Sequence, residues 1–225
     1  AVSAAGDLNL DGVPDLVVGS PFFNSNRGRI DLISGQSGGV FFAIPGFQAG
    51  ERFGSSVCGG FDFNNDGRPE VAGGAPYFSG SNGTYCGRIA IYQGAFGTLL
   101  ANANGDGDRD LLGYSIAMAP STDGKDYGCL AAGAPELAFP GQPAGTGYVR
   151  LYRYLTGQIT GLLPLATWQS YSAGSKYGYR LEAAGDIDAA QPAVRSSVRL
   201  WPMGSAWTPA SGTAARCKCD RRPTS

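Results

Sequence analysis

Two acidic loops of the sequence have residue types and spacing suited to binding a metal ion. Both follow the pattern D-x-N-x-D-G-x-P-[DE], over residues 7–15 and 62–70. A calcium-binding loop has oxygen ligands at positions 1, 3 and 5, a glycine at position 6, a backbone carbonyl ligand at position 7 and a closing carboxylate. Both segments have this arrangement. Magnesium demands a tighter octahedral geometry, so the pattern favours Ca²⁺. The predicted ligands are Asp7, Asn9, Asp11, Asp15 and the carbonyl of Val13 in the first loop, and Asp62, Asn64, Asp66, Glu70 and the carbonyl of Arg68 in the second.

An ordinary turn is the alternative interpretation of each loop. Asp-Gly is a strong hairpin signal, and Asp and Asn side chains cap turns without any ion. Two copies at the same offset before Gly-x-Pro nevertheless favour calcium. Without a cation, the crowded carboxylate oxygens would repel one another.

Three further acidic segments depart from this pattern. Counting back from Gly133 by the same offsets gives a third loop with a lysine in place of the third ligand and a cysteine in place of the closing acid, so no tight site is predicted there. A fourth loop begins correctly with Asp186 and Asp188 but lacks the glycine and the closing acid. The run over residues 104–110 is interpreted as a solvated loop, with a metal site as the alternative. The third-loop positions are Ser121, Asp123, Lys125, Tyr127 and Cys129.

Composition excludes several functional classes. The 225 residues include no histidine, which removes Ser-His-Asp and Cys-His catalysis, histidine zinc sites and histidine general bases. No acid and base pair stands out beyond the loops, so we predict no catalytic residues and no enzymatic activity. A net charge of −1 gives no indication of nucleic-acid binding. No apolar run approaches the roughly 18–20 residues of a transmembrane helix, so membrane insertion is not expected.

The elements that position the loops are repeated along the chain. A strand of small residues ends at Gly19, at Gly74 and at Gly133, with intervals of 55 and 59 residues. With 36 glycines and 14 prolines, the composition is typical of many tight turns between short strands. Each unit has the length of a four-stranded antiparallel propeller blade. We therefore predict an all-β protein built of β-propeller blades, in which the glycines let neighbouring backbones approach closely.

Phe53-Gly54, Gly74-Ala75-Pro76 and the loop at 62–70 together resemble the FG-GAP repeat of integrin α-subunit propellers. The resemblance implies about three and a half repeats belonging to a larger, seven-bladed propeller, with calcium loops that join the first and second strands of each blade. It implies that the ten residues already named are calcium ligands. It also implies a secreted or cell-surface location and a ligand-binding role without chemistry of its own.

We divide the chain into a repeat segment, 1–190, and an aberrant or disordered basic tail, 191–225. The tail contains one acidic residue, Asp220, and no Gly-Ala-Pro at the expected spacing. Out-of-frame translation and a natural basic tail are both compatible with it. Open blade edges favour self-association, and we expect a fragment, a truncated product or a half that closes by oligomerising. The basic residues of the tail are Arg195, Arg199, Arg216, Lys218, Arg221 and Arg222.

Three functions remain open at this stage. The first is a calcium-binding adhesion module for an extracellular protein or glycan ligand, bound through the aromatic loops between the second and third strands. The second is an accessory domain of a secreted carbohydrate- or lipid-active enzyme, and the third is a purely structural repeat. In an exported protein the five cysteines would allow a Cys58–Cys86 disulfide, but the sequence alone does not pair them. Asn82 begins a glycosylation sequon, which has meaning only in a host that glycosylates.

Overall fold

The computed structural model describes residues 1–119, 128–141, 143–155, 161–185, 197–200 and 215–216. Short antiparallel strands dominate it, with one four-residue helical turn, α1 (Phe23–Asn26). Three sheets are four-stranded, with their strands in chain order, and we name them blades 1 to 3. Blade 1 comprises β1 (Val2–Gly6), β2 (Asp15–Gly19), β3 (Arg29–Ile33) and β4 (Val40–Pro45). Blade 2 comprises β5 (Ser56–Phe61), β6 (Glu70–Ala75), β7 (Arg88–Gln93) and β8 (Leu99–Asn104). Blade 3 comprises β9 (Ser115–Ala119), β10 (Cys129–Ala134), β11 (Tyr148–Leu155) and β12 (Gly161–Gln169).

A fourth sheet, blade 4, has three strands in chain order: β13 (Leu181–Gly185), β14 (Ser197–Leu200) and β15 (Ala215–Arg216). The last two strands lie within the predicted basic tail, whose other residues are outside the described part of the chain. The boundary at residue 190 therefore stays a prediction. The third and fourth acidic loops also lie outside the described residues, apart from Cys129 at the start of β10.

The blades stack face to face, with their first strands innermost. Strand β1 contacts β5, β5 contacts β9, and β9 contacts β13. The apolar core is divided among the spaces between successive blades. Between blades 1 and 2, for example, Val17 and Leu32 pack with Val71 and with the aromatic ring of Phe53. The prediction of four-stranded antiparallel propeller blades is confirmed.

Paired glycines set the distance between neighbouring blades. A Cβ on Gly19 would collide with the carbonyl oxygen of Gly54, and a Cβ on Gly74 would collide with that of Gly113. Gly133 has the same relation to Gly178. Because only glycine allows this approach, the packing role predicted for these glycines is correct.

Two of the sequence expectations concern covalent and membrane features. The structure holds Cys58 and Cys86 as buried free thiols, so the disulfide that the sequence allowed between them is not formed. Cys58 lies in β5, whereas Cys86 precedes β7 and its Sγ lies 3.6 Å from the carbonyl oxygen of Phe78. Within the described ranges, no helix has both the length and the apolar character that crossing a membrane requires.

The glycine contact yields a stability prediction. We expect Gly74→Ala to lower the free energy of unfolding by about 1–3 kcal/mol, because the new methyl group forces two backbones apart. Urea denaturation measures this change. Gly107→Ala is the matched control, since a Cβ there meets only the Asp110 side chain, at 3.7 Å. Equal stability of the two variants would contradict the packing role of Gly74.

Candidate metal centre

The two acidic loops occupy equivalent places in blades 1 and 2. The first joins β1 to β2 and the second joins β5 to β6, as the sequence predicted. The second residue of each loop, Leu8 or Phe63, is fully buried and anchors the loop to the core. The closing carboxylate is the first residue of the following strand, where Asp15 is 1% exposed and Glu70 is 0% exposed.

Backbone N–H groups curl around the side-chain oxygens of each loop. In the second loop, Asp62 accepts hydrogen bonds from the N–H groups of Asp66 (3.1 Å) and Gly67 (2.7 Å). The first loop repeats this arrangement, with Asp7 accepting from Asp11 (3.0 Å) and Gly12 (2.8 Å).

The chain makes these turns with backbone conformations that most residues avoid. Gly12 and Gly67 have positive φ angles of 87° and 84°, which glycine adopts readily. Leu10 and Asn65, at position 4 of the two loops, also have positive φ, at 61° and 63°. The loop motif gave no indication that position 4 would be left-handed.

The second loop brings its three carboxylates together. Oxygens of Asp62, Asp66 and Glu70 lie within 4.8 Å of one another, and they form the one such acidic group among the residues that the structure describes. Two predicted ligands also accept backbone N–H groups within the loop. Asn64 Oδ1 accepts the Asp66 N–H (2.9 Å), and Asp66 Oδ1 accepts the Arg68 N–H (3.0 Å).

Glu70 is the unusual member of this group. Its Oε2 accepts the N–H of Phe63 at 2.5 Å, but its buried Oε1 has no hydrogen-bond partner. Burial, with the neighbouring charges of Asp66 and Asp62, raises the pKa of the Glu70 carboxyl to about 7. A buried, unpaired carboxylate oxygen beside two other carboxylates is costly unless a cation neutralises it. The donor set therefore fits a hard cation such as Ca²⁺.

The first loop satisfies its closing carboxylate differently. Asp15 Oδ2 accepts the N–H of Leu8 and Oδ1 accepts the N–H of Gly35, both at 2.9 Å. Its side chain is one methylene shorter than that of glutamate, and both of its oxygens are engaged. The structure brings together the predicted acidic ligands of the second loop, whereas Asp7, Asp11 and Asp15 of the first do not meet the same distance limit.

Two buried carboxylates outside the loops were missed by the sequence analysis. Asp110 accepts hydrogen bonds from the N–H groups of Asp106 (2.8 Å) and Gly107 (3.1 Å) and from the Tyr148 hydroxyl (2.9 Å). The interpretation of residues 104–110 as a solvated loop is wrong for Asp110, because this residue is only 7% exposed. Asp106, which remains largely exposed, pairs with Arg150.

Glu51 has the same place in the connection between blades 1 and 2 that Asp110 has in the connection between blades 2 and 3. It accepts the N–H of Phe47, and it lines a small cavity together with Arg88 and Tyr92. Burial raises the pKa of Glu51 and that of Asp110, although backbone N–H groups oppose the shift. A signal was present in the sequence, since each acid stands three residues before Gly54 or Gly113. Both residues anchor the segment that connects one blade to the next.

An aromatic face lies at the opposite end of the blades from the acidic loops. The Arg52 guanidinium lies 5.4 Å from the Phe22 ring and 4.2 Å from the Tyr77 ring. Tyr77 contacts Tyr85 edge to face, and Tyr85 stacks on Phe139, each with centroids 5.6 Å apart. These five residues, which we call the aromatic face, link the loops of three successive blades.

Comparison with known families identifies the repeat. Residues 1–33 and 53–92 match the family model described as FG-GAP repeat. The chain carries FG-GAP repeats. The predicted family resemblance is thereby confirmed, and blades 1 and 2 contain the matching segments.

Several curated proteins are similar to this chain. Rat phosphatidylinositol-glycan-specific phospholipase D is 33% identical over 169 residues, which cover 58% of this chain and 20% of that protein. Chicken integrin alpha-V is 28% identical over 197 residues, covering 82% of this chain and 18% of that protein. The chain thus spans about a fifth of the length of these relatives.

Solved structures with the same fold include two rhamnogalacturonan lyases. The exotype lyase YesX superposes with a TM-score of 0.51 at 15% identity, covering 88% of this chain and 38% of that chain. The Bacillus licheniformis lyase PL11 superposes with a TM-score of 0.51 at 18% identity, covering 88% of this chain and 40% of that chain. At these identities the likeness concerns the fold alone.

The raised pKa of Glu70 predicts how stability in chelator depends on pH. The folded protein holds a proton on Glu70 up to about pH 7, whereas the ordinary pKa is 4.5. Since the folded state binds more protons between these values, the free energy of unfolding decreases as the pH rises from 4.5 to 7. Urea denaturation across this range measures the slope.

Glu70→Gln should make that slope shallower, because its amide does not titrate. Glu182→Gln in β13 is the matched control, since Glu182 is exposed. The role assigned to Glu70 is wrong if its variant and the control keep the same slope.

Proposed function

We propose that this chain is a calcium-binding FG-GAP propeller module that binds an extracellular protein or glycan and catalyses no reaction itself. The observation that carries the proposal is the convergence of Asp62, Asp66 and Glu70 around a buried carboxylate oxygen that lacks a partner. The proposal includes a secreted or cell-surface location, where millimolar calcium would occupy a site with the affinity of extracellular calcium modules.

Calcium would act on the stability of the fold. With the ion bound, Asp62, Asn64, Asp66, Glu70 and the Arg68 carbonyl would hold it, and the repulsion among the three carboxylates would be removed. Because the unfolded chain lacks the assembled site, binding favours the folded state. The first loop would contribute Asp7, Asn9, Asp11, Asp15 and the Val13 carbonyl, with weaker affinity because Asp15 already accepts two N–H groups.

Ligand binding is assigned to the aromatic face. Phe22 is 69% exposed, and Tyr85 is also exposed, so both rings are accessible to a partner. Aromatic side chains and arginine are the residues that contribute most at protein interfaces, and flat rings also suit the apolar faces of sugars. The contact of Arg52 with two of these rings holds the surface in one arrangement.

The arrangement of charged groups supports binding rather than catalysis. The sequence has no histidine, and Asp110 already accepts the Tyr148 hydroxyl and two backbone N–H groups. The second candidate function is an accessory domain of a secreted lipid- or carbohydrate-active enzyme. The similarity to phosphatidylinositol-glycan-specific phospholipase D over 58% of this chain favours that candidate.

Thermal unfolding in excess chelator and in millimolar calcium tests the metal proposal. We expect a stabilisation of about 1 kcal/mol per occupied site, equivalent to a rise of about 2–4 °C in Tm for a protein of this size. Magnesium at the same concentration should have a smaller effect. Asp66→Ala should remove the response of the second loop, while Asp11→Ala should leave it intact. A full calcium response in Asp66→Ala would refute the ligand assignment.

Binding to immobilised matrix proteins and to a glycan array tests the aromatic face. We expect a ligand whose binding is weakened about tenfold or more by the double variant F22A/Y85A, because aromatic anchors dominate interface energies. Phe96→Ala is the control, since Phe96 is an aromatic at the acidic-loop end whose exposure, 59%, lies between those of Phe22 and Tyr85. The absence of any binding in either screen would leave the module with a structural role.

A further inference from the structure

A small cavity lies where the connection from blade 1 to blade 2 meets the face of blade 2. Phe53, Ala75 and Ala90 give the cavity apolar walls, and Glu51 and Arg88 line it with charged side chains. The space open to the centre of a water molecule is about 10 Å³. A buried water needs about 10–15 Å³ of such space, so the cavity has the size of a single water molecule.

Each of the two charged side chains keeps one buried polar atom without a hydrogen-bond partner. Glu51 is 2% exposed and Arg88 is 7% exposed. Within the described part of the chain, neither Glu51 Oε2 nor Arg88 Nε has a partner, whereas the other carboxylate oxygen of Glu51 accepts the N–H of Phe47. Buried polar atoms left unpaired destabilise a fold. One group that accepts from Arg88 and donates to Glu51 would satisfy both atoms.

Two aromatic rings hold the Arg88 guanidinium in its position. The central carbon of the guanidinium lies 4.1 Å from the centroid of the Phe47 ring and 5.2 Å from that of the Phe78 ring. Attraction between a cation and the faces of aromatic rings favours this placement. Because the rings hold the guanidinium, direct pairing with the carboxylate is opposed, and the gap between the two charged groups is kept open.

The next junction shows which atom satisfies the carboxylate when the side chains differ. Tyr148 has the register position of Arg88, at the start of the third strand of its blade. Asp110 stands three residues before Gly113, as Glu51 stands three residues before Gly54. The Tyr148 hydroxyl donates directly to Asp110 Oδ2, at 2.9 Å. In blade 3 the carboxylate is therefore satisfied by the oxygen of a hydroxyl group.

We propose that the cavity binds one ordered water molecule, which accepts a hydrogen bond from Arg88 Nε and donates one to Glu51 Oε2. The two groups select a neutral occupant that both accepts and donates. A metal ion or an ammonium ion accepts no hydrogen bond and is repelled by the guanidinium. A halide ion donates none and is repelled by the carboxylate. The water has the role that the Tyr148 hydroxyl has in blade 3, and it fixes the connection to the third strand of blade 2.

A high-resolution crystal structure of the 225-residue chain tests the proposal. We expect one ordered water whose oxygen lies about 2.7–3.2 Å from Arg88 Nε and about 2.5–3.0 Å from Glu51 Oε2. A direct hydrogen bond between the two side chains overturns the proposal. So does a cavity without electron density, or an ion identified there by anomalous scattering.

A residue exchange tests whether the water acts as the Tyr148 hydroxyl does. The double variant E51D/R88Y gives this junction the residue types of the next one, so the introduced hydroxyl should donate directly to the carboxylate. We expect its urea midpoint to exceed the value that the two single variants predict by addition, because the two changes compensate each other. Its crystal structure should contain no water between the two side chains.

The matched control for the exchange is E51D/R180Y, which places the tyrosine at an exposed position. Its urea midpoint should equal the sum of the two single effects, because distant sites act independently. Additive midpoints in E51D/R88Y, or a water retained between Asp and Tyr in its crystal structure, would overturn the equivalence of the water and the hydroxyl.

Discussion

At each junction between neighbouring blades, the second strand of one blade lies directly against the glycine that introduces the next. Gly19 meets Gly54 in this way, and Gly74 meets Gly113. The N–H of Gly54 also donates to the carbonyl of Gly74, at 3.0 Å, so one glycine is held by the blade before it and the blade after it. The first strands lie side by side because of this contact. The antiparallel strand order within each blade then places the acidic loops at one end of the blades and the aromatic face at the other.

The buried carboxylates of this structure differ in how fully their oxygens are hydrogen-bonded. Asp15 and Asp110 are surrounded by N–H and O–H donors, so each acts as a fixed anchor for a loop. Glu70 has one satisfied oxygen and one unsatisfied oxygen beside two further carboxylates. Among the side chains predicted as ligands, Asp15 and Glu70 are the one pair that differs between the two loops, by one methylene. The closing carboxylate of the first loop is fully hydrogen-bonded, whereas that of the second loop keeps one oxygen without a partner.

Much of the fold was accessible from the sequence, because spaced glycines, alternating strands and acidic loops each encode local geometry. The positions of Gly19, Gly74 and Gly133 predicted the strands and their close packing correctly. Glu51 and Asp110 were missed, because their burial depends on the next blade covering them. The loop sequences also could not predict that Asp15 has both oxygens hydrogen-bonded, because one of its donors is the N–H of Gly35, twenty residues away. Cys58 and Cys86 similarly show that two cysteines of one blade need not face each other.

The chain-order arrangement of strands in blades 1 to 3 bears on how the protein folds and how it arose. Each blade closes within its own stretch of sequence, and it contacts the blades on either side. Formation of one blade therefore requires closure of short loops only, whose entropy cost is modest. Folding can start in any unit and spread to its neighbours, as in other repeat proteins. The same independence lets gene duplication add or remove a unit without rerouting any strand.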